Sequence, residues 1–459
     1  MYKKDSDYML DKLFKLKENK TTISKEFVAG LTTFMAMSYA LFVIPSILSQ
    51  TGMDYQAVYG ATIFASIIGT LLLGLIANVP YAQCAGIGLA SLFTYTICGT
   101  LGYSWQQALA MVFVCSIINL IITLTSVRKK IIKAIPSFIQ EAITVGIGLF
   151  IAYIGLVDAG IISFGASSIT NGIANDVVPQ LSTFSNSSVI LALIGLIITI
   201  ILVVKKVKGA YLISIITTTI IGIPMGVTGV PDFSNYTIIP HIGSTFLKLD
   251  LVGLFSVKSS ILIILMTIFT LCISDLFDTI GVFIGTGKKS GIFKVDEKGN
   301  LPAKLEKAVF ADCLGTMFAS LLGTSNVTTY IESSSGIEAG GRTGLTSVFV
   351  ALCMMLSLVL APIIKCVPMA AVAPILVMVG ASMLENISSI NFKDFVVGIP
   401  AFFVIIMIPL GYSISTGIQF GFIAYTIIGL IIGKAKEISP IVYIFSILFI
   451  IQYIFNVLL

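Results

Sequence analysis

The chain is a succession of apolar runs about 20 residues long, separated by short polar stretches, and this pattern constrains its fold more than any other feature. A helix rises about 1.5 Å per residue, so roughly 20 apolar residues cross a hydrocarbon core about 30 Å thick. Candidate spans fall at 26–48, 56–78, 80–99, 105–126, 140–162, 187–204, 209–228, 259–286, 307–323, 326–340, 343–364, 368–384, 396–411 and 415–433. A further apolar segment, 439–459, either spans or lies along the interface. With 57% hydrophobic and 11% charged residues over 459 positions, such surface cannot be hidden in a soluble globule. The expectation is an all-α polytopic membrane protein of about 14 segments.

Charge gives the orientation. With the polar, Lys-rich stretch 1–25 in the cytoplasm, 24 of the 27 basic residues fall on that side, and only Lys248, Lys258 and Lys365 fall outside. That asymmetry is the one expected when positive loops resist translocation. The net charge of +5 lies in loops between spans, not on one soluble face, so no nucleic-acid partner is expected. Seven cysteines without CxxC spacing suggest buried small hydrophobes, with neither a metal site nor a disulfide framework, and no cofactor is expected.

Two segments break the pattern. Pro80-Tyr-Ala-Gln-Cys-Ala-Gly-Ile-Gly88 mixes Pro, Gln and Gly, and Gly323-Thr-Ser-Asn-Val-Thr-Thr-Tyr-Ile-Glu-Ser-Ser-Ser-Gly336 is largely polar. Each predicts a short extended stretch leading into a half-helix, tolerable at membrane depth only where it is buried or lines a cavity. They hold the third and tenth places. Offsetting the chain by 246 lays Gly69-Thr70 over Gly315-Thr316 and the first break over the second; an offset of 245 sets Ala29–Thr33 against Ser274–Asp278. Seven spans per half makes the repeat inverted, an arrangement that builds transporters around a midplane site.

Carboxylates inside spans are costly and mark interior or wet positions. Asp275 and Asp278, three apart, share a face of the eighth span. Glu332 opens the tenth half-helix, where a helix N-terminus is expected to favour an anion. These acids suit a flat neutral ligand rich in N–H donors, because a carboxylate accepts two such bonds in a fork. Packing against backbone and hydroxyl groups is the structural alternative for all three, and above all for Asp278. Asp312 and Glu141 read as structural or proton-linked. Arg342 is placed to anchor the cytoplasmic end of the half-helix, and His241 falls in an external loop, leaving a carboxylate as the proton carrier. No zinc-ligand cluster and no Ser/His pair occur within the spans, so an enzyme is disfavoured.

Several stretches resemble one family: Gly30-Leu-Thr-Thr-Phe34 with Pro45-Ser-Ile-Leu48, Gly102-Tyr-Ser-Trp105, Asp275-Leu-Phe-Asp278-Thr-Ile-Gly281, and Gly323–Ser333 through Gly340-Gly-Arg-Thr-Gly344. The chain resembles the AzgA-like branch of the nucleobase:cation symporters, purine permeases for guanine, hypoxanthine and adenine. The resemblance implies a seven-plus-seven inverted repeat with core and gate domains. It divides the chain into a tail (1–25), core parts 26–126 and 259–364, gate parts 127–228 and 365–436, and a C-terminal apolar helix (437–459).

The resemblance further implies proton symport by an elevator motion in the cell membrane, with a purine nucleobase, a proton or other cation, and the lipid bilayer as partners and a homodimer as the assembly. Asp275 and Glu332 correspond to the base-binding acids, and Asp278 to a third acid important for transport. Ala90, Gly88 and Thr329 are expected to complete the site, with Asp278 and, on the residue reading alone, Asp312 in coupling or structural roles. The chain departs from the family pattern at Ala85, in place of the third-span proline, and at Ala90, in place of an asparagine. It departs again at Ile44, where an Asn-Pro pair becomes Ile44-Pro45. Carriers of xanthine, of uracil, or of a small anion on the same architecture are the rivals.

Overall fold

A computed structural model describes residues 10–125, 136–166, 169–170, 173–174, 177–207, 209–229, 241–256, 261–290, 292–293, 303–360, 366–411 and 414–458. Of the basic residues counted for orientation, Arg128, Lys129, Lys130, Lys133, Lys208, Lys258, Lys294, Lys298 and Lys365 lie outside these residues, as do residues 1–9. The labelled helices are α1 (Ile23–Met37), α2 (Ala40–Leu48), α3 (Tyr55–Leu72), α4 (Ile87–Ser91), α5 (Trp105–Leu124), α6 (Ser137–Asp158), α7 (Ser187–Val204) and α8 (Ala210–Gly222). They continue with α9 (Ile261–Ser290), α10 (Ala303–Leu322), α11 (Ser333–Glu338), α12 (Gly344–Ser357), α13 (Met369–Met383), α14 (Phe395–Leu410), α15 (Ile414–Ile431) and α16 (Pro440–Leu458). Seven helical segments among the described residues are long and apolar enough to cross a membrane, and six shorter apolar helices accompany them. The protein is a multi-pass, all-α membrane protein, as its apolar pattern requires.

The two broken segments are extended where the sequence predicts it. Strand β1 (Gln83–Ala85) leads into α4, and a second strand, β4 (Val327–Thr329), leads through a turn into α11. The strands pair antiparallel with Cys84 opposite Thr328, so each supplies hydrogen bonds the other would lack in lipid. Their ends are tied as well: Gly86 N donates to Asn326 O, Tyr330 N to Ala82 O, and the Tyr330 hydroxyl to Ala85 O at 2.7 Å.

The repeat is visible in how these strands are held. Thr70, at the end of α3, accepts from Gln83 N at 2.9 Å, while Thr316 on α10 donates its hydroxyl to Val327 O at 2.9 Å. Each Gly-Thr pair from the sequence alignment thus grips one strand. Gly69 and Gly315 stand back to back: a Cβ built on Gly315 would lie 3.3 Å from the Gly69 Cα and 2.8 Å from Gln83 Oε1. The absence of side chains lets α3 and α10 close over the Gln83 amide.

Two features were not read from the sequence, and a third, the expected C-terminal apolar helix, had its placement left open. The first span is interrupted at Ser38–Tyr39, between α1 and α2. The connection after α6 carries a hairpin in which β2 (Ile162–Ala166) pairs antiparallel with β3 (Val177–Leu181). Helix α16 packs along α15, its Ser446 hydroxyl 2.7 Å from that of Thr426, and its Phe445 stacks on Phe269 of α9 with ring centroids 3.7 Å apart. At 19 residues it is about 28 Å long, close to the core thickness.

The helices pack in two sets. In one, α10 lies against α3 and α5, α12 against α1 and α3, and α9 against α5; in the other, α6 packs on α13 and α14, α7 on α8 and α13, and α14 on α15.

Candidate functional site

Where the two strands meet, carboxylates gather from α9, α10 and the segment before α11. Asp275 is 1% exposed, and its Oδ2 accepts from Asn119 Nδ2 of α5 at 2.9 Å. The charges acting on it are Asp312 and Asp278. Around the Cys115 thiol, the Asn119 amide approaches from one side at 3.8 Å and the Asn326 amide from another at 3.6 Å. Asn119 is 2% exposed and Asn326 fully buried. Three buried oxygens in this group, Oδ1 of Asp275, of Asn119 and of Asn326, have no hydrogen-bond partner among the described residues. The Ser274 and Ser325 hydroxyls share that condition. A buried acceptor without a donor costs about 1–3 kcal/mol. Such an arrangement is ready to receive N–H donors.

Glu332 is half-buried and accepts from the Tyr39 hydroxyl at 2.6 Å. Its carboxylate makes no bond to the helix that follows, and that helix, α11, has six residues. The expected favour from a helix N-terminus is therefore withdrawn, since one and a half turns sum few peptide dipoles. Asp278 is half-buried, and the Tyr330 hydroxyl feels both its charge and that of Glu332. Tyr39 packs edge-on against Tyr211 of α8, the centroids 5.0 Å apart.

Asp312 has a different environment. It is 2% exposed and accepts from Gln83 Nε2, from the Thr279 hydroxyl at 2.9 and 3.0 Å, and from the Thr329 hydroxyl at 3.2 Å. It joins β1, β4, α9 and α10. The Thr329 side chain is committed to that knot. Of the remaining predicted positions, Ala90 is fully buried in α4, and Gly88 is where α4 touches α6: a Cβ there would lie 2.9 Å from Ile147 Cγ2. Arg342 does close the end of α11, donating through Nη1 to Ile337 O at 2.6 Å and Gly341 O at 2.7 Å. His241 is exposed, beyond the site.

Sequence reasoning missed Tyr39, Gln83, Asn119 and Glu26. Glu26, fully buried on α1, accepts from the backbone N–H of Arg342, Thr343 and Thr346 and from the Thr346 hydroxyl. It ties α1 to the start of α12. Polar side chains within or at the edge of apolar runs were the available signal for Asn119 and Glu26. Nothing local marks Tyr39.

Comparison with known proteins is consistent with this architecture. A family model described as a permease family matches residues 24–420. The chain is 38% identical over 454 residues to the guanine/hypoxanthine permease PbuO of Bacillus subtilis, covering 96% of this chain and 99% of that protein. It is 36% identical over 454 residues to the adenine permease AdeP of Escherichia coli, covering 97% and 96%. Among solved structures, the transmembrane domain of the cyanobacterial bicarbonate transporter BicA superposes with a TM-score of 0.59 at 14% identity, over 86% of this chain and 96% of that one. That likeness concerns the fold.

Proposed function

The chain belongs to this permease family, a family of transporters and not of enzymes, and from that premise we propose that it imports purine nucleobases: hypoxanthine, guanine and adenine. The observation that carries the reading is the set of unpartnered buried oxygens on Asp275, Asn119 and Asn326, in one neighbourhood with the Asp278 and Glu332 charges. A purine presents N–H donors along a flat edge, and bonds to a carboxylate are the stronger kind. A small anion offers acceptors to acceptors, which works against the rival reading.

In this account Asp275 and Glu332 grip the N–H edge, with Ala90 and Gly88 forming a small apolar wall and the Thr329 backbone closing the far side. Asp278 serves coupling to a proton, and Asp312 holds the strands. The two packing sets support a division into core (26–126 and 259–364) and gate (127–228 and 365–436) parts. Gly88 against Ile147 and Tyr39 against Tyr211 lie where one set meets the other. We assign an elevator motion to that seam, a cytoplasmic N-terminus and a cell-membrane location. Homodimerisation through the gate is part of the same proposal.

Uptake of radiolabelled hypoxanthine, guanine, adenine, xanthine and uracil in a host lacking its own carriers tests the reading. Saturable purine uptake, abolished by a protonophore and indifferent to sulfate, is expected. Absence of saturable uptake of every base by well-expressed protein overturns it.

A further inference from the structure

The two sides of Glu332 differ in how they are closed. Along α11, Ser334 and Ser335 are partly exposed and Glu338 is exposed, a polar row suited to water and not to lipid. That row leads toward Arg342, on the face assigned above to the cytoplasm. On the opposite side all nine residues of α2 are buried. This half-helix packs on α3 and α4 and touches α13 of the other set. In the turn Ser49–Thr51 that follows it, the exposed Gln50 donates a hydrogen bond to Asp158, the last residue of α6. Asp158 Oδ2 is buried without a partner among the described residues, so the carboxylate is turned into the seam and not out to water.

We propose that Gln50 and Asp158 form an extracellular latch: their bond clasps the end of α2 to α6 and holds the outer path to Glu332 shut while the cytoplasmic path is open. Outward opening carries the first packing set, α2 with it, away from α6, and so breaks this bond. A single hydrogen bond shifts a conformational equilibrium by about two- to tenfold. That is enough to bias the resting state and little enough to release in every cycle. The inference rests on the transport reading above and adds the contact that gates it.

The test joins the two positions covalently. Hypoxanthine uptake is compared before and after oxidation with copper phenanthroline in the double variant Gln50→Cys, Asp158→Cys, with each single variant as control. Oxidation should stop uptake by the double variant alone, a reductant should restore it, and the cross-linked protein in detergent should still bind hypoxanthine from its open cytoplasmic side. Uptake that persists in cross-linked protein overturns the proposal, as does loss of binding on cross-linking or failure of the cross-link to form. If the double variant does not fold, Asp158→Ala and Asp158→Asn carry the test. Freeing the outward-facing state should lower the half-saturating external hypoxanthine concentration about two- to tenfold in Asp158→Ala, while Asp158→Asn, which keeps an acceptor for Gln50, stays near wild type. An unchanged or raised value in Asp158→Ala overturns the latch. Uptake of no base by well-expressed wild type instead defeats the nucleobase reading itself.

Discussion

Removing the Asp312 carboxylate should unfold the region where the strands cross, and the structure sets the size of the effect. Three donors converge on it: the Gln83 amide and the Thr279 and Thr329 hydroxyls. All are buried, so Asp312→Ala leaves each to find another acceptor in a dry interior. At about 1–3 kcal/mol per stranded group the loss is roughly 3–9 kcal/mol, enough to prevent accumulation of folded protein. Asp312→Asn keeps one oxygen where all three donors point and sacrifices the charge and the second Thr279 bond. Its cost should be about 1–3 kcal/mol. The assay is thermal unfolding of detergent-solubilised protein, followed by monodispersity on size exclusion. The ordering wild type, Asn, Ala is expected. An alanine variant melting with the wild type refutes the reasoning. An asparagine variant with wild-type melting and ligand affinity but no transport would make Asp312 a coupling group instead.

Glu26→Ala strands three backbone N–H groups at the start of α12, so expression of folded protein should drop sharply; melting within a degree of wild type contradicts this. Gly344→Ala places a methyl on the Gly74 backbone carbonyl, where no flexible side chain can yield, and overpacking of about 1–3 kcal/mol or more should lower the melting temperature clearly. Asn119→Leu preserves bulk but removes the donor to Asp275 Oδ2, and hypoxanthine affinity measured by competition should weaken about tenfold while the fold persists.

The membrane architecture was legible because a spanning helix must be apolar throughout, and the two strands were legible because Pro80, Gln83, Gly86 and the Ser/Thr run after Gly323 cannot form such a helix. The Gly69-Thr70 and Gly315-Thr316 match was readable as a repeat, and the structure gives its cause in the paired grips on β1 and β4. The break at Tyr39 was not legible: residues 40–48 are as apolar as any span, and the interruption coincides with a bond to a residue 293 positions away. The hairpin after α6 is likewise invisible to hydropathy, since its second strand, Val177–Leu181, lacks alternation and carries Pro179. Among the acids, Asp275, Asp278 and Glu332 stood out as costly charges. Their polar companions did not, because Gln83 and Asn119 are neutral and appear in the sequence as ordinary interruptions.

The most direct measurement is equilibrium binding of hypoxanthine to purified protein, wild type beside Glu332→Ala, each with its melting curve. The account predicts saturable binding and a ligand-raised melting temperature for the wild type, and neither for a Glu332→Ala protein that melts normally in the absence of ligand. Equal affinity in the two proteins would contradict it.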